Sequence, residues 1–483
     1  MVDVLASLWP HLVSAVVLAM MVLAAAHVVL NKRDVRAAIG WVGLILLVPA
    51  AGPILYMLLG INRIRRRAAQ LFRDARRYAH DTDVRPVTAA TLPDFVGPGG
   101  AHLGELARVM AGIVPRALLP GNKVLPLFDG DEAYPAMLDA IEGAERCIAF
   151  ETYIFDSDAA GRRFVDALGR AVARGVDVRV LVDDAGARYS RPPIDTLLRR
   201  AGVRTARFMP MLLPWRFAYF NLRNHRKVMV VDGEVAFTGG MNVRHGCVLA
   251  DNPGYPTRDL HFRVEGPVVT HLMDVFAEDW AFSTREALEE ERWFPHLRPA
   301  GPTLCRVIVD GPDENLDRLR WSLLGAIACA ERSIRILTPY FLPDEALITA
   351  LNVAALRGVT VDVVLPERGN LRLVEWAMWG ELWKMLGRGV RVWLSKPPFD
   401  HSKLLVIDSG WALIGSANWD PRSLRLNFEL GVECYDAALA QRLDAMVDAR
   451  INESRRVSGD ELAALPLALR LRNGVARLFK PYL

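Results

Sequence analysis

A chain of 483 residues that is 52% hydrophobic, 24% charged and +4 in formal net charge is long enough for more than one domain and too apolar to stay disordered. Five cysteines, Cys147, Cys247, Cys305, Cys329 and Cys434, show no paired spacing, which excludes a disulfide scaffold and points to a reducing compartment. The near balance of charge argues against a protein that coats nucleic acid, which carries a basic footprint.

In chain order, Leu12 to Leu30 is nearly all apolar, and Ile39 to Ile61 carries no charge over 23 residues. At 1.5 Å per residue each can cross a hydrocarbon core of about 30 Å. Two spans forming a hairpin are expected. The alternative is a kinked or re-entrant second segment, because Pro49 and Pro53 interrupt it. The opening MVDVLASLWP has no Lys or Arg, unlike a cleaved secretory signal. Arg63, Arg65, Arg66, Arg67, Arg73, Arg76 and Arg77 then face a single Asp74, which puts this side in the cytoplasm and the arginines against anionic head groups. Lys32, Arg33 and Arg36 in the intervening loop weaken that assignment without overturning it. Residues 1–80 are therefore read as a membrane hairpin with a basic juxtamembrane segment. Residues 81–119, where Pro and Gly cluster, are read as a flexible linker.

Beyond residue 120 the chain repeats itself. AIEGAERCIAFETYIFDSD, from Ala140, aligns with AIACAERSIRILTPYFLPD, from Ala326, and DALGRAVARGVDVRVLV parallels TALNVAALRGVTVDVVL. Each copy predicts helix, strand, helix, strand, helix, strand and a hairpin. Helices alternating with Val/Ile/Leu runs predict an α/β fold of two halves, 120–300 and 301–483, related by a pseudo-two-fold axis. The break falls between Arg298 and Pro312. An apolar, aromatic insert, Met209 to Leu222 with Trp215, Phe217, Tyr219 and Phe220, lengthens the first half; it suits a membrane contact and buried core almost equally. The stretch LALRLRNGVARLFKPYL, with Arg470, Arg472, Arg477 and Lys480, fits either a helix on the membrane or one docked on the protein.

Each copy ends in the same chemical pattern, His225-x-Lys227-x4-Asp232 and His401-x-Lys403-x4-Asp408, followed by Asn242 or Asn418. One such match arises by chance about once per hundred chains, and a matched pair far less often. Of the basic residues 52 are Arg and 7 are Lys, yet both motifs keep Lys. A compact ammonium suits an oxygen that changes geometry during reaction, so Lys227 and Lys403 are assigned to phosphate oxygens together with Asn242 and Asn418. His and Lys two apart share a strand face. Asp232-Gly233 and Asp408-Ser409-Gly410 read as tight turns, so both aspartates, though part of the catalytic motif, look mainly architectural. Gly239, Gly240, Gly415 and Ser416 are expected to let backbone approach a bound anion. Two histidines in one site can divide the work: a neutral imidazole attacks phosphorus, and an imidazolium protonates the leaving alcohol and then deprotonates the acceptor. Asp259 and Glu429, at comparable distances downstream of the motifs, are expected to fix the imidazole tautomers. His245 and His261 are isolated. With neither metal-ligand spacing nor a nucleotide loop, neither a metal nor another cofactor is expected.

These strings resemble the phospholipase D superfamily and, within it, the bacterial cardiolipin synthases: the apolar start, PGNKVLPLFDGDEAYPAMLDAI, FETYIF, NHRKVMVVDGEVAFTGGMN, RDLHFRVEGP, TPYFLPD, HSKLLVID and GSANWDPRSLRLNFEL. The resemblance covers nearly the whole chain and is most specific in the last string. It implies fused α/β halves, metal-free phosphatidyl transfer through a phosphohistidine, His225 as nucleophile and His401 as acid/base. The residues alone leave those two roles exchangeable. It also implies phosphatidylglycerol and other phospholipids as partners, no nucleic acid, and a multi-pass place in the bacterial inner membrane with the catalytic halves facing the cytoplasm. No protein partner is indicated. Asp400, directly before the second His, and the Trp-rich WAMWGELWK depart from the pattern and are expected to alter the acceptor pocket. A hydrolase of the same architecture, a related phosphatidyltransferase with another acceptor, and a non-catalytic lipid-binding scaffold are the competing readings; an intact duplicate of every reacting residue argues against the scaffold, and the residues leave the acceptor lipid open.

Overall fold

The computed structural model describes residues 2–32, 34–60, 77–97, 100–210 and 222–483. The chain forms two compact units, Met1–Ala68 and Ala69–Leu483.

In the first unit, helix α1 (Val2–Asn31) contains the apolar stretch Leu8–Asn31, the one helix among the described residues long and apolar enough to cross a membrane. At 1.5 Å per residue its 24 residues reach about 36 Å. The second apolar segment does not form an uninterrupted span. Helix α2 (Val35–Leu47), capped by Asp34 accepting from Ala37 N–H, stops before Pro49, and the chain resumes as α3 (Ala51–Leu55) and a π-helical turn, Tyr56–Gly60. Pro49 has no N–H to offer the preceding turn, which is the physical reason for the break. The pieces pack back on α1: Ala24, Val28, Ile45 and Tyr56 form a small core, and His27 Nδ1 lies 2.8 Å from the Tyr56 hydroxyl.

In the second unit both copies of the repeat share one sheet of 16 strands. In the first copy β2 (Cys147–Thr152), β3 (Asp177–Asp183) and β4 (Arg204–Phe208) run parallel, and β2 borders the hairpin β6 (Val228–Val231) and β7 (Val235–Gly239), then β9 (Leu260–Glu265) and β1 (Leu119–Phe128). The second copy repeats this order with β11 (Ser333–Leu337), β12 (Thr360–Pro366), β13 (Arg391–Ser395), the hairpin β15 (Leu404–Ile407) and β16 (Trp411–Gly415), β17 (Asn427–Tyr435) and β10 (Thr303–Asp310). The antiparallel pair β1 and β10 joins the two copies. Strands of β-branched and aliphatic residues, buried on both faces by the crossover helices, account for the near-continuous apolar runs. A helix over Val268–Thr284 is buried from Val268 to Ala281 and touches strands of both copies.

Of residues 81–119, expected as a flexible linker, the described ones are instead part of the body. Val87 N–H donates to Leu118 O at 2.8 Å, and helix α4 (Leu103–Ile113) buries Leu103, Leu106, Ala107 and Met110 against the helix Arg318–Cys329 of the second copy. Its i, i+3, i+4, i+7 apolar spacing was hidden by the Pro and Gly around it. Arg77, grouped above with the head-group arginines, is engaged within the body by Glu278 and Asp313, both at 3.1 Å. The other arginines of that run and residues 211–221 of the aromatic insert, including Trp215, Phe217, Tyr219 and Phe220, lie outside the described residues.

Candidate active site

Neither motif histidine lies on its strand; each precedes it, in a segment tied to the opposite copy. In the first, β5 (Arg223–Asn224) pairs in parallel with Asn427–Phe428, and His225 N–H donates to Phe428 O at 2.9 Å. In the second, β14 (Phe399–Asp400) pairs in parallel with β8 (Thr257–Arg258), and His401 N–H donates to Arg258 O at 2.8 Å. The two cross-links are equivalent under exchange of the copies. Each therefore lays one histidine beside the carboxylate strand of the other half.

The carboxylates act across the junction. His225 Nδ1 lies 3.0 Å from Glu429 Oε2 and 3.1 Å from Ser416 O, while His401 Nδ1 lies 2.7 Å from Asp259 Oδ2. Sequence spacing had left the pairing open; each imidazole is served by the half that does not contain it. An ionised carboxylate only accepts, so Nδ1 of each ring carries a proton, and Nε2 holds the lone pair when the ring is neutral and a second proton when it is an imidazolium. Burial pushes Glu429 and Asp259 up, but His225 with Lys227, and His401 with Lys403, hold them below the ordinary carboxylate range. The Ser416 hydroxyl and Asn427 Nδ2 also donate to Glu429, and Leu260 N–H donates to Asp259.

Both imidazoles are buried, and burial lowers both: His225 despite Glu429, and His401 to about 4, with the Lys403 ammonium adding to the effect. The lysines share this environment. Burial lowers Lys227 to about 7 and Lys403 to about 8, with the Glu429 and Asp259 carboxylates opposing. Lys227 Nζ donates to His225 O at 2.6 Å, and Lys403 Nζ lies 2.9 Å from His401 Nδ1. Lys403 perturbs His225 and Lys227 perturbs His401, so the four basic groups form one cluster. An anionic phosphate placed among them raises all four back toward their charged forms.

His225, His401, Asp259, Asn242 and Asn418 line one cleft of about 930 Å³. Asn242 Oδ1 accepts from Ile154 N–H at 3.0 Å, leaving Nδ2 as its donor, and Asn418 Oδ1 has no partner among the described residues. Tyr153 and Tyr340, equivalent in the repeat, place their rings 5.1 Å and 6.4 Å from the His225 and His401 rings. Sequence reading passed over them, although FETYIF and TPYFLPD both carry the Tyr. Nor did it single out Arg226, which anchors the first motif through Asp279 at 2.7 Å.

Asp232 and Asp408 stand apart from the cluster. Each occupies the first central position of a turn with φ near +50°, followed by Gly233 or Ser409, also at positive φ. Asp232 accepts from the backbone N–H groups of Glu145, Arg146 and Cys147, and Asp408 from those of Glu331, Arg332 and Ser333. They tie the hairpin to the start of the neighbouring strand. The small residues also serve the fold: a Cβ on Gly415 would lie 2.1 Å from Leu430 O, and one on Gly240 would lie 2.3 Å from Asp259 Oδ1. They make room for the adjacent strand and the orienting carboxylate. Asp400 likewise points away from the cleft, accepting from Ser402 N–H and Arg450 Nε, both at 3.0 Å. His245 lines the cleft, whereas His261 is buried behind Lys227. Among the described residues no group of three or more His, Cys, Asp or Glu is placed to hold a metal ion.

A duplicated His-x-Lys motif, crossed over a single cleft in a doubled α/β fold, is the construction of a phospholipase D-like protein. Residues 137–280 and 323–451 match the family described as cardiolipin synthase, PLD-like domain, and residues 19–60 match the phospholipase D-nuclease N-terminal family. The chain is 32% identical over 470 residues to cardiolipin synthase A of Pseudomonas entomophila, covering 96% of each, and 30% identical over 460 residues to cardiolipin synthase 2 of a Staphylococcus epidermidis strain, covering 94% of each. The chain belongs to the cardiolipin synthase family. Its fold is similar to that of a phosphatidylserine synthase from Haemophilus influenzae, with a TM-score of 0.56 at 16% identity over 78% of this chain and 100% of that one.

Proposed function

We propose that this protein makes cardiolipin by transferring a phosphatidyl group from one phosphatidylglycerol to the hydroxyl of another. His225 Nε2 attacks the donor phosphorus; the P–N bond forms as the P–O bond to glycerol breaks, and His401 protonates the departing glycerol oxygen. The hydroxyl of the second phosphatidylglycerol then gives its proton to His401 as its oxygen attacks phosphorus, breaking the P–N bond and freeing His225. Lys227, Lys403, Asn242 and Asn418 hold the non-bridging phosphate oxygens, while Glu429 and Asp259 keep the rings in the Nδ1–H tautomer.

The observation that carries this reading is the reciprocal bonding of each imidazole to the carboxylate of the other half on one cleft. The apolar first unit, its two helical arms and the arginine run that follows support a hairpin in the bacterial inner membrane with the catalytic body on the cytoplasmic side.

Purified enzyme in phosphatidylglycerol micelles, without added metal or nucleotide, is expected to yield cardiolipin and glycerol in equal amounts; phosphatidic acid as the sole lipid product would reject the transferase reading. Acid-stable trapping is not needed to separate the two histidines. With donor labelled at phosphorus and an alkaline quench, His401→Ala should retain label on His225, and label on residue 401 of a His225→Ala protein would reverse the assigned roles.

A further inference from the structure

The last long helix, α13 (Leu467–Leu478), is docked on the body by one face: it packs on α11 (Arg372–Trp379) and buries Asn473 and Ala476. Its opposite face is apolar and uncovered. Leu467, Leu471, Val475 and Leu478 are 68%, 61%, 56% and 70% exposed, and their i, i+4, i+8, i+11 spacing puts them in a single stripe. Scattered exposed leucines are ordinary on a protein surface, but a continuous ridge of four marks a contact. Cations border it. Arg470 is exposed, Arg477 sits 3.9 Å from Glu381, and Arg472 lies over the Trp376 ring at 4.7 Å.

The helix is linked to the cleft through the residues beside it. Leu371, at the start of α11, is exposed and lines the cleft with Val374 of the same helix, and Leu483, five residues beyond α13, lines it too. The exposed rings of Tyr189 and Tyr255 line the same cleft. We propose that the outward face of α13 is a membrane-interface helix, which seats the mouth of the cleft on an anionic lipid surface so that lipids pass between bilayer and active site without crossing water. Leucines between arginines match acyl chains beneath anionic head groups. In a symmetric pairing of two copies, the same arginines would border both sides of the contact, so charge favours the lipid. The inference rests on the proposed lipid substrate and adds the surface by which it is reached.

Two measurements on the full-length protein test it. Leu471→Cys labelled with nitrobenzoxadiazole, in vesicles of phosphatidylglycerol and phosphatidylcholine, is expected to shift to the blue and be quenched by spin-labelled lipid, more strongly as the phosphatidylglycerol fraction rises. A label that lipid quenchers do not reach overturns the proposal, including the case in which cross-linking shows it covered by a second copy. The same quenching is expected when the labelled chain also carries His225→Ala, so loss of cardiolipin synthesis with quenching intact counts against the reaction and not against this surface. Second, Leu467, Leu471, Val475 and Leu478 replaced together by Ser should lower kcat/KM for bilayer phosphatidylglycerol about tenfold or more while leaving turnover of monomeric short-chain phosphatidylglycerol unchanged. Equal loss on both substrates, or no loss on either, overturns the proposal.

Discussion

The two imidazole–carboxylate pairs have their consequences at single atoms. Removing Asp259 or Glu429 as an anion, by Asp259→Asn or Glu429→Gln, leaves the shape but allows the wrong tautomer, and a drop in kcat of about 10²- to 10⁴-fold is expected. If His401 is the acid, Asp259→Asn should lose least on a phosphodiester whose leaving group is a weakly basic phenol, since such a group departs without a proton. A loss on that substrate as large as on phosphatidylglycerol would sink the assignment. The lysines set the pH dependence. In the proposed role each lysine holds phosphate only when protonated, and burial lowers Lys227 to about 7 and Lys403 to about 8, so kcat/KM for phosphatidylglycerol should fall more steeply as pH rises through 7 to 8, beyond the loss that follows deprotonation of His401 at about 4. On the acid side, burial holds His225 below its ordinary value, so the neutral nucleophile persists below pH 6.5. A profile still flat at pH 9 would contradict the shared basic cluster.

At the scale of the hairpin, the motif aspartates should behave as fasteners. Asp408→Ala removes the acceptor of three backbone N–H groups, a carboxylate 2.8 Å from His102 Nε2, and a side chain tolerant of positive φ. A loss of about 2–4 kcal/mol in unfolding free energy is expected, with kcat of the folded fraction near wild type. Denaturant unfolding combined with active-site titration checks this, and a kcat loss without destabilisation would return Asp408 to the chemistry. The hairpins were legible because turn residues and apolar runs act locally, and the histidines because their pattern occurs twice. The crossed pairing was not. Asp259 and Glu429 follow their motifs at similar distances, and only the parallel pairing of Arg223–Asn224 with β17, and of Phe399–Asp400 with β8, decides which ring each one meets. Helix α4 was missed for another reason: its apolar face has meaning only against a helix more than 200 residues away.

At the scale of the molecule, β1 and β10 weld the copies into one sheet, and one cleft draws on both. Mixing His225→Ala with His401→Ala protein should therefore restore no activity, because neither chain contains a complete site; recovered turnover would mean that halves exchange between molecules. The same weld has a consequence during synthesis. When the ribosome has delivered only the first copy, His225 has neither Glu429 nor Ser416 to bond its ring, and Asp259 has no imidazole to serve. A nascent chain is thus chemically silent toward phospholipid, and becomes competent only as its last segments take their places.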